Sequence, residues 1–306
     1  MERRRFCKIA SLGFASALFP NIWGNSYLGF TGDFPSTVWE AEGKADTMVQ
    51  AIFNALGGLP KLIDKEVDQT TVLIKPNLCL PHQSASGTTT SPEMVNAFCK
   101  YFTDAGVKKI ILADHTLKAK IEYFQNTETV KATKDFPSAH WLLANEQRYF
   151  TPQKVDGKVL KETEILKILK RADLTVNLAT AKHHSATQVS LCTKNLMGFI
   201  WDRISFHTKL DLHQAIGDLA LLVRPTLNVI DATRVLLNGG PTGPGPVVQE
   251  NRMFVSFDPV TVDAVILSRY DFGGRQLSSK EVAHLLAAYK NGIGEVDLNK
   301  IKVQKV

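Results

Sequence analysis

The chain has 306 residues, 44% of them apolar, and a formal net charge of +6. That length suffices for one large domain or two lobes with a sizeable core. No basic run interleaved with aromatics marks a nucleic-acid surface, and no segment after the first 25 residues approaches the roughly 18 apolar residues of a membrane span.

Half of the net charge sits in residues 1–25, where Arg3, Arg4, Arg5 and Lys8 stand against Glu2. The stretch Arg3-Arg4-Arg5-Phe6-Cys7-Lys8, followed by the apolar run Ile9 to Phe19, resembles a twin-arginine export signal. The resemblance implies a protein that folds in the cytoplasm, crosses the membrane folded, and works in the periplasm or another extracytoplasmic space. A basic N-terminus on an ordinary first helix is the alternative, although the run is short and rich in Gly, Ser and Ala. The organisation expected is a signal over 1–25 and a single α/β domain over 34–306. Beyond Cys7, the cysteines Cys79, Cys99 and Cys192 are far apart and odd in number. They form no disulfide framework and no Cys-x-x-Cys motif, and they read as small buried hydrophobes. An iron–sulfur cluster held by this chain alone is not expected.

Strand-like runs then alternate with helical patterns, which predicts an α/β fold with a largely parallel sheet and flanking helices in Rossmann-like layers. Thr70 to Lys75 is a β-branched strand ending at Pro76-Asn77. Ser91-Pro92-Glu93 opens a helix, with a cap residue and a proline at the first helical position, and Gly106 stops it. Lys109 to Ala113 is the next strand and closes on Asp114-His115. Residues 117–160 are less regular and more polar, and read as an insertion or cap. Helices are predicted over Glu162–Arg171, Thr187–Phe199, His213–Val223, Asp258–Arg269 and Lys280–Tyr289. Strands are predicted over Asp173–Ala179, Thr226–Asp231 and Met253–Phe257, with an edge strand at Ile301–Val306. Gly239 to Pro246 is a turn-rich loop; its prolines lack the N–H groups a phosphate cradle needs, so a rigid lining of the site entrance is the better reading.

Ligands of open parallel sheets sit outside the carboxyl ends of the strands. Four such ends carry polar residues here: Lys75-Pro76-Asn77, Asp114-His115-Thr116, Thr180 to His184, and Asp231 to Arg234. Each alone is as compatible with a turn as with a site; together they predict one cleft. On a helical wheel over 187–199, Val189, Cys192, Leu196 and Phe199 form an apolar stripe, with Thr187, Ser190, Lys194 and Gly198 opposite. That face turned toward the cleft brings Lys194 near Lys182. Lys75, Lys182 and Lys194 would make a positive site for a carboxylate or phosphate. Asp114, His184 and Asp231 are N and O donors suited to a divalent metal or to acid–base work. Of the adjacent His183 and His184, only one can face the site from an extended chain, and His184 is preferred. Asn77 and Asn195 would orient a ligand or cofactor through their amides. Asp258 reads as a helix N-cap and Asp263 as structural. No zincin, P-loop, nucleophile-elbow or dinucleotide-binding signature is present.

Several stretches resemble the domain-of-unknown-function family 362 (DUF362). They are Val72 to Leu78, Thr90 to Glu93, Ile111 to Asp114, Val176 to His184 with Lys194 to Gly198, Leu227 to Asp231 with Gly240 to Gly245, and Asp258 to Val260 with Val262 to Ala264. The resemblance runs in order over roughly 70–300. It implies a fold neighbourhood and ranks the positions above, but it names no reaction. Some members carry appended ferredoxin-type cysteine repeats; this chain has none, so that electron-transfer role is not implied.

Two functions are therefore expected to compete. One is an exported enzyme acting on a small anionic substrate, with Lys75, Asp114, Lys182, His184 and Lys194 as its chemistry. The other is a non-catalytic extracytoplasmic protein that holds a metal or cofactor for a redox partner. Three lysines scattered over the surface would remove the basis for both.

Overall fold

The computed structural model describes residues 36–116 and 121–306; the twin-arginine stretch lies outside the described residues. The first two elements, strand β1 (Thr37–Glu42) and helix α1 (Ala45–Ala55), precede the first predicted strand. Then come β2 (Thr71–Pro76), α2 (Pro92–Asp104), β3 (Lys109–Asp114), the short helices α3 (Ile121–Gln125) and α4 (Glu128–Lys131), and β4 (Ala139–Leu143). A hairpin follows, β5 (Phe150–Lys154) with β6 (Glu162–Leu166), and then β7 (Leu174–His184), β8 (Gln188–Ser190), α5 (Cys192–Asn195), α6 (Arg203–Thr208) and α7 (Leu212–Leu222). The rest is β9 (Leu227–Leu236), β10 (Val247–Ser256), α8 (Pro259–Leu267), the small pair β11 (Asp271–Phe272) and β12 (Arg275–Gln276), α9 (Ala283–Lys290) and β13 (Lys302–Lys305).

The main sheet runs β13-β1-β10-β9-β7-β2-β3-β4, with β8 folded back on β7. The pairs β9–β7, β7–β2, β2–β3 and β3–β4 are parallel, while β10 is antiparallel to both its neighbours. The protein is thus an α/β fold with a mostly parallel sheet. The sequence of β2 shows why this sheet forms. Val72 and Ile74 pack with α1 and α2 on one face, while Leu73 enters the core that holds α7 on the other. An unbroken apolar run is what a strand covered on both faces requires.

Helix α2 begins as its sequence predicts. Ser91 Oγ accepts from the Met94 N–H at 3.4 Å, and Pro92 takes the first turn, where a missing N–H costs nothing. Gly106, at φ +83°, ends it. Helix α8 opens the same way: Asp258 accepts from the Thr261 N–H at 2.8 Å, ahead of Pro259.

Three predicted elements differ. The helix expected over 162–171 is strand β6 followed by a single 3₁₀ turn; Thr163 and Ile165 pair with β5, and Ile165 and Leu166 are buried by that hairpin. The helix expected over 187–199 is broken into β8, the one-turn α5 and a 3₁₀ turn. Apart from the partly exposed Lys194, both predicted faces are buried, so spacing alone could not separate a continuous helix from a folded-up segment. The stretch 117–160 is not wholly an insertion, because β4 within it is the edge strand of the main sheet, parallel to β3.

Candidate ligand site

Strands β7, β2 and β3 are neighbours, and their carboxyl ends open into a cavity of about 770 Å³. Lys75 and Asn77 reach it from the end of β2, Asp114 and His115 from β3, and Lys182 and His184 from β7. The segment after β8 adds Lys194, Asn195 and Gly198, and the start of α6 adds Arg203. Pro241 and Thr242 of the proline-rich loop also line it.

Lys75 is 1% exposed and fully engaged. Its ammonium donates to Pro76 O and to Asn195 Oδ1, both at 2.8 Å, and forms an ion pair with Asp114 Oδ1 at 3.0 Å. The other carboxylate oxygen of Asp114 accepts from the Leu78 N–H at 2.7 Å, which ties β3 to the chain leaving β2. Burial holds the Lys75 pKa below the usual lysine value, with Asp114 opposing the shift. This pair dictates Gly198. A Cβ there would overlap Lys75 Cε and Nζ and Asp114 Oδ1, so only glycine lets the chain cross so closely.

Lys182 is equally buried but has no such partner. It donates to Asn77 Oδ1 at 2.9 Å and to Thr88 O at 2.6 Å, both neutral, and no carboxylate lies within ion-pair distance among the described residues. Burial lowers its pKa. Lys194, on α5, makes no hydrogen bond or ion pair among the described residues. Burial, with Arg203, Lys182 and Lys75 nearby, lowers its pKa to about 8. Arg203 donates to Thr116 O at 3.2 Å, and burial lowers its pKa also. Four cations therefore face two acids of the cavity wall. Asp114 is spent on Lys75, and exposed Asp202 caps α6 by accepting from the Ser205 N–H at 3.0 Å.

A row of asparagines holds the lysines in place. Asn77 Nδ2 donates to Asn195 Oδ1 at 3.1 Å, Asn195 Nδ2 to Asn177 Oδ1 at 2.8 Å, and Asn177 Nδ2 to Asn228 Oδ1 at 2.9 Å. The row crosses from β2 through α5 to β7 and β9, so the site is braced against the middle of the sheet. Helix α5 is too short to be stable by itself. Its first two N–H groups, of Cys192 and Thr193, donate to the two carboxylate oxygens of Asp263 in α8, each at 2.8 Å. Asp263 is thus structural, as its sequence position suggests, and it sets where Lys194 and Asn195 project.

Of the three histidines that line the cavity, His115 and His184 are the more strongly shifted, and both are neutral near pH 7. Burial and then Arg203 lower His115 to about 4; burial and then Lys194 and Lys182 lower His184 to about 3. His115 Nδ1 lies 2.8 Å from Ile200 O, which can only accept, so Nδ1 carries the proton and Nε2 a lone pair. Its ring stacks on Trp201, with centroids 5.0 Å apart. His184 Nδ1 accepts from the Ala186 N–H at 3.1 Å, which places its proton on Nε2.

Of the residues expected from the sequence, Lys75, Asn77, Asp114, Lys182, His184, Lys194 and Asn195 meet at this cavity. Asp231 does not. Its carboxylate accepts from the Ser91 N–H at 2.7 Å and from Thr233 N and Oγ1 at 3.0 and 2.7 Å, fastening β9 to the start of α2. The expected metal triad of His184, Asp114 and Asp231 is therefore not assembled, and no group of three His, Cys, Asp or Glu side chains gathers as a metal site among the described residues. Cys99 and Cys192 are buried as expected, whereas Cys79 is partly exposed in the cavity wall.

The chain matches the family model described as Domain of unknown function (DUF362) over residues 72–268. It belongs to the DUF362 family. Every site residue placed above lies inside the matched span. The fold also resembles the lactate racemase apoprotein from Thermoanaerobacterium thermosaccharolyticum, at 13% identity and a TM-score of 0.39. That likeness covers 71% of this chain and spans about half, 53%, of the other. No curated protein matches the chain.

Arg203 and Thr88 escaped the sequence reading of this DUF362 chain, and His115 entered it only as part of a strand end. The signal for Arg203 was slight: Asp202 and Ser205 have the spacing of a helix cap, which would have placed Arg203 at the first turn of a helix.

Proposed function

We propose that this chain, in an exported protein of the kind its N-terminal motif implies, uses the cavity to bind a small anion bearing a carboxylate or phosphate. The observation that carries the reading is Lys182: a 1% exposed ammonium, facing the cavity, bonded only to an amide and a peptide oxygen. Buried charges are normally paired, because an uncompensated ion in a low-dielectric site is costly. An anion in the cavity supplies the missing partner to Lys182, with Lys194 and Arg203 as further donors. Lys75, already neutralised by Asp114, belongs to the frame rather than to the ligand. Lys194 adds a group that exchanges protons near neutral pH, which favours an enzyme over a passive carrier. The redox-partner alternative gains no donor set from the described residues.

Isothermal titration of protein from the extracytoplasmic fraction, against inorganic phosphate and small carboxylates, tests this. At least one anion binds, and Lys182→Met weakens it by about tenfold or more, the worth of a hydrogen bond to a charged group. A folded Lys182→Met protein that binds as tightly as the parent refutes the site; protein confined to the cytoplasm refutes the export.

A further inference from the structure

We propose that Lys194 is a covalent nucleophile that forms a Schiff base with the carbonyl of a small oxo acid. This rests on the anion-binding reading above and narrows its ligand to a molecule carrying both a carboxylate and an aldehyde or ketone. The three cavity lysines are held differently. Lys75 has three partners for its ammonium and Lys182 has two. Lys194 has none among the described residues, although it projects into the same cavity from a helix pinned by Asp263. A lysine needed as a charge is tied down in this site, and Lys194 is not.

Its surroundings favour the neutral amine, which is the reactive form. Lys75, Lys182 and Arg203 face it as cations, and His184 and His207 as neutral rings held so partly by Lys194 itself. Cys79 is close enough to oppose their effect. With a value of about 8, half of the Lys194 amines are free at pH 8. An ordinary lysine, near 10.4, is then less than about 1% free.

The chemistry balances within the cavity. The Lys194 ammonium loses one proton to water in the cavity, as its value of about 8 allows. The amine lone pair adds to the carbonyl carbon, and the C=O electron pair moves to oxygen, which is protonated to a carbinolamine. The nitrogen then gives up a second proton, the C–O bond breaks, and the oxygen leaves as water. Ammonium and carbonyl have become iminium and water, with no change in charge and no outside reactant. Lys182 and Arg203 hold the carboxylate meanwhile. An iminium draws electrons from the neighbouring carbon, so the product state favours breaking a bond there.

Pyruvate is a suitable probe, with sodium borohydride to trap the iminium and intact-mass and peptide analysis to find it. The expected result is one reduced adduct per chain, on the peptide containing Lys194, forming about fifty-fold faster at pH 8 than at pH 6 as the free-amine fraction rises. Lys194→Arg and Lys194→Ala lose it. Folded Lys182→Met still forms the adduct but needs about tenfold more pyruvate. Labelling spread over surface lysines, or an adduct that survives in Lys194→Arg, overturns the proposal. Phosphate and pyruvate titrations on the same protein separate the two readings: anions that bind without any adduct remove the Schiff base alone, and no binding of either removes both.

Discussion

Asp114→Asn is the sharpest test of how the site is built. The substitution keeps the shape and the oxygen that accepts from the Leu78 N–H, but it leaves the Lys75 ammonium facing an amide. Two outcomes are open to a buried lysine that has lost its counter-ion. It can stay charged, at the roughly 3–5 kcal/mol that breaking a buried pair costs. Or it can fold as the neutral amine, for which the cost at pH 7 is capped at about 4.6 kcal/mol, the distance from a free lysine at 10.4. The cheaper route sets the loss, so about 3–4.6 kcal/mol is expected at pH 7, the upper end being the neutral amine. The sign of the pH dependence follows. A Lys75 neutral in the folded state and charged in the unfolded chain means that unfolding takes up a proton, so stability rises with pH by up to about 1.4 kcal/mol per unit until pH 10. The variant should therefore recover toward the parent between pH 7 and 9, because only the parent has Asp114 opposing the downward shift of Lys75. Urea denaturation at pH 7, 8 and 9 reads this directly. A loss under about 1 kcal/mol, or one that does not shrink with pH, refutes the argument that the pair is desolvated and mutually dependent.

Gly198→Ala should destabilise by about 1–3 kcal/mol, because the new methyl meets the buried Lys75–Asp114 pair rather than a flexible side chain; an unchanged melting curve refutes the close approach. Asp263→Ala strips the acceptor from two buried N–H groups and should cost about 1–3 kcal/mol for each, measured by the same denaturation. Burial raises Asp263 to about 7, so the folded protein keeps a proton that the unfolded chain loses near 3.9. Stability attributable to this group therefore falls as pH rises from about 4 to about 7. Asp263→Asn removes that slope, and parallel pH profiles for parent and variant refute the shift.

Much of the architecture could be read from local pattern. The runs at 71–76 and 109–114 are β-branched or aliphatic, end in polar residues, and flank a helix with a cap and a proline, so their order and polarity followed directly. That Lys75, Asp114 and Lys182 meet also followed, because parallel strands bring their carboxyl ends together. Long-range ties were hidden. Nothing near Cys192 announces that a carboxylate some seventy residues later caps its helix, and without that cap the segment 187–199 reads as one continuous helix. Asp231 misled for a related reason. A carboxylate at a strand end serves a ligand or a neighbouring N–H equally well, and the choice lay with Ser91, which only the folded chain brings to it. Asn77 and Asn195 sat at the site as expected, but each amide spends its capacity on another amide or a lysine, so they brace the cavity more than they read a ligand.

The asparagine row has a further consequence. Carboxamides neither gain nor lose a proton across the biological range, so a scaffold latched by them keeps its donors and acceptors whatever the acidity around it. The cations it holds can be discharged or reprotonated one at a time while the strands beneath stay fastened. Asp114 and Asp263 add carboxylates to the frame, so a change of acidity reaches the scaffold through those two groups and not through the amide row.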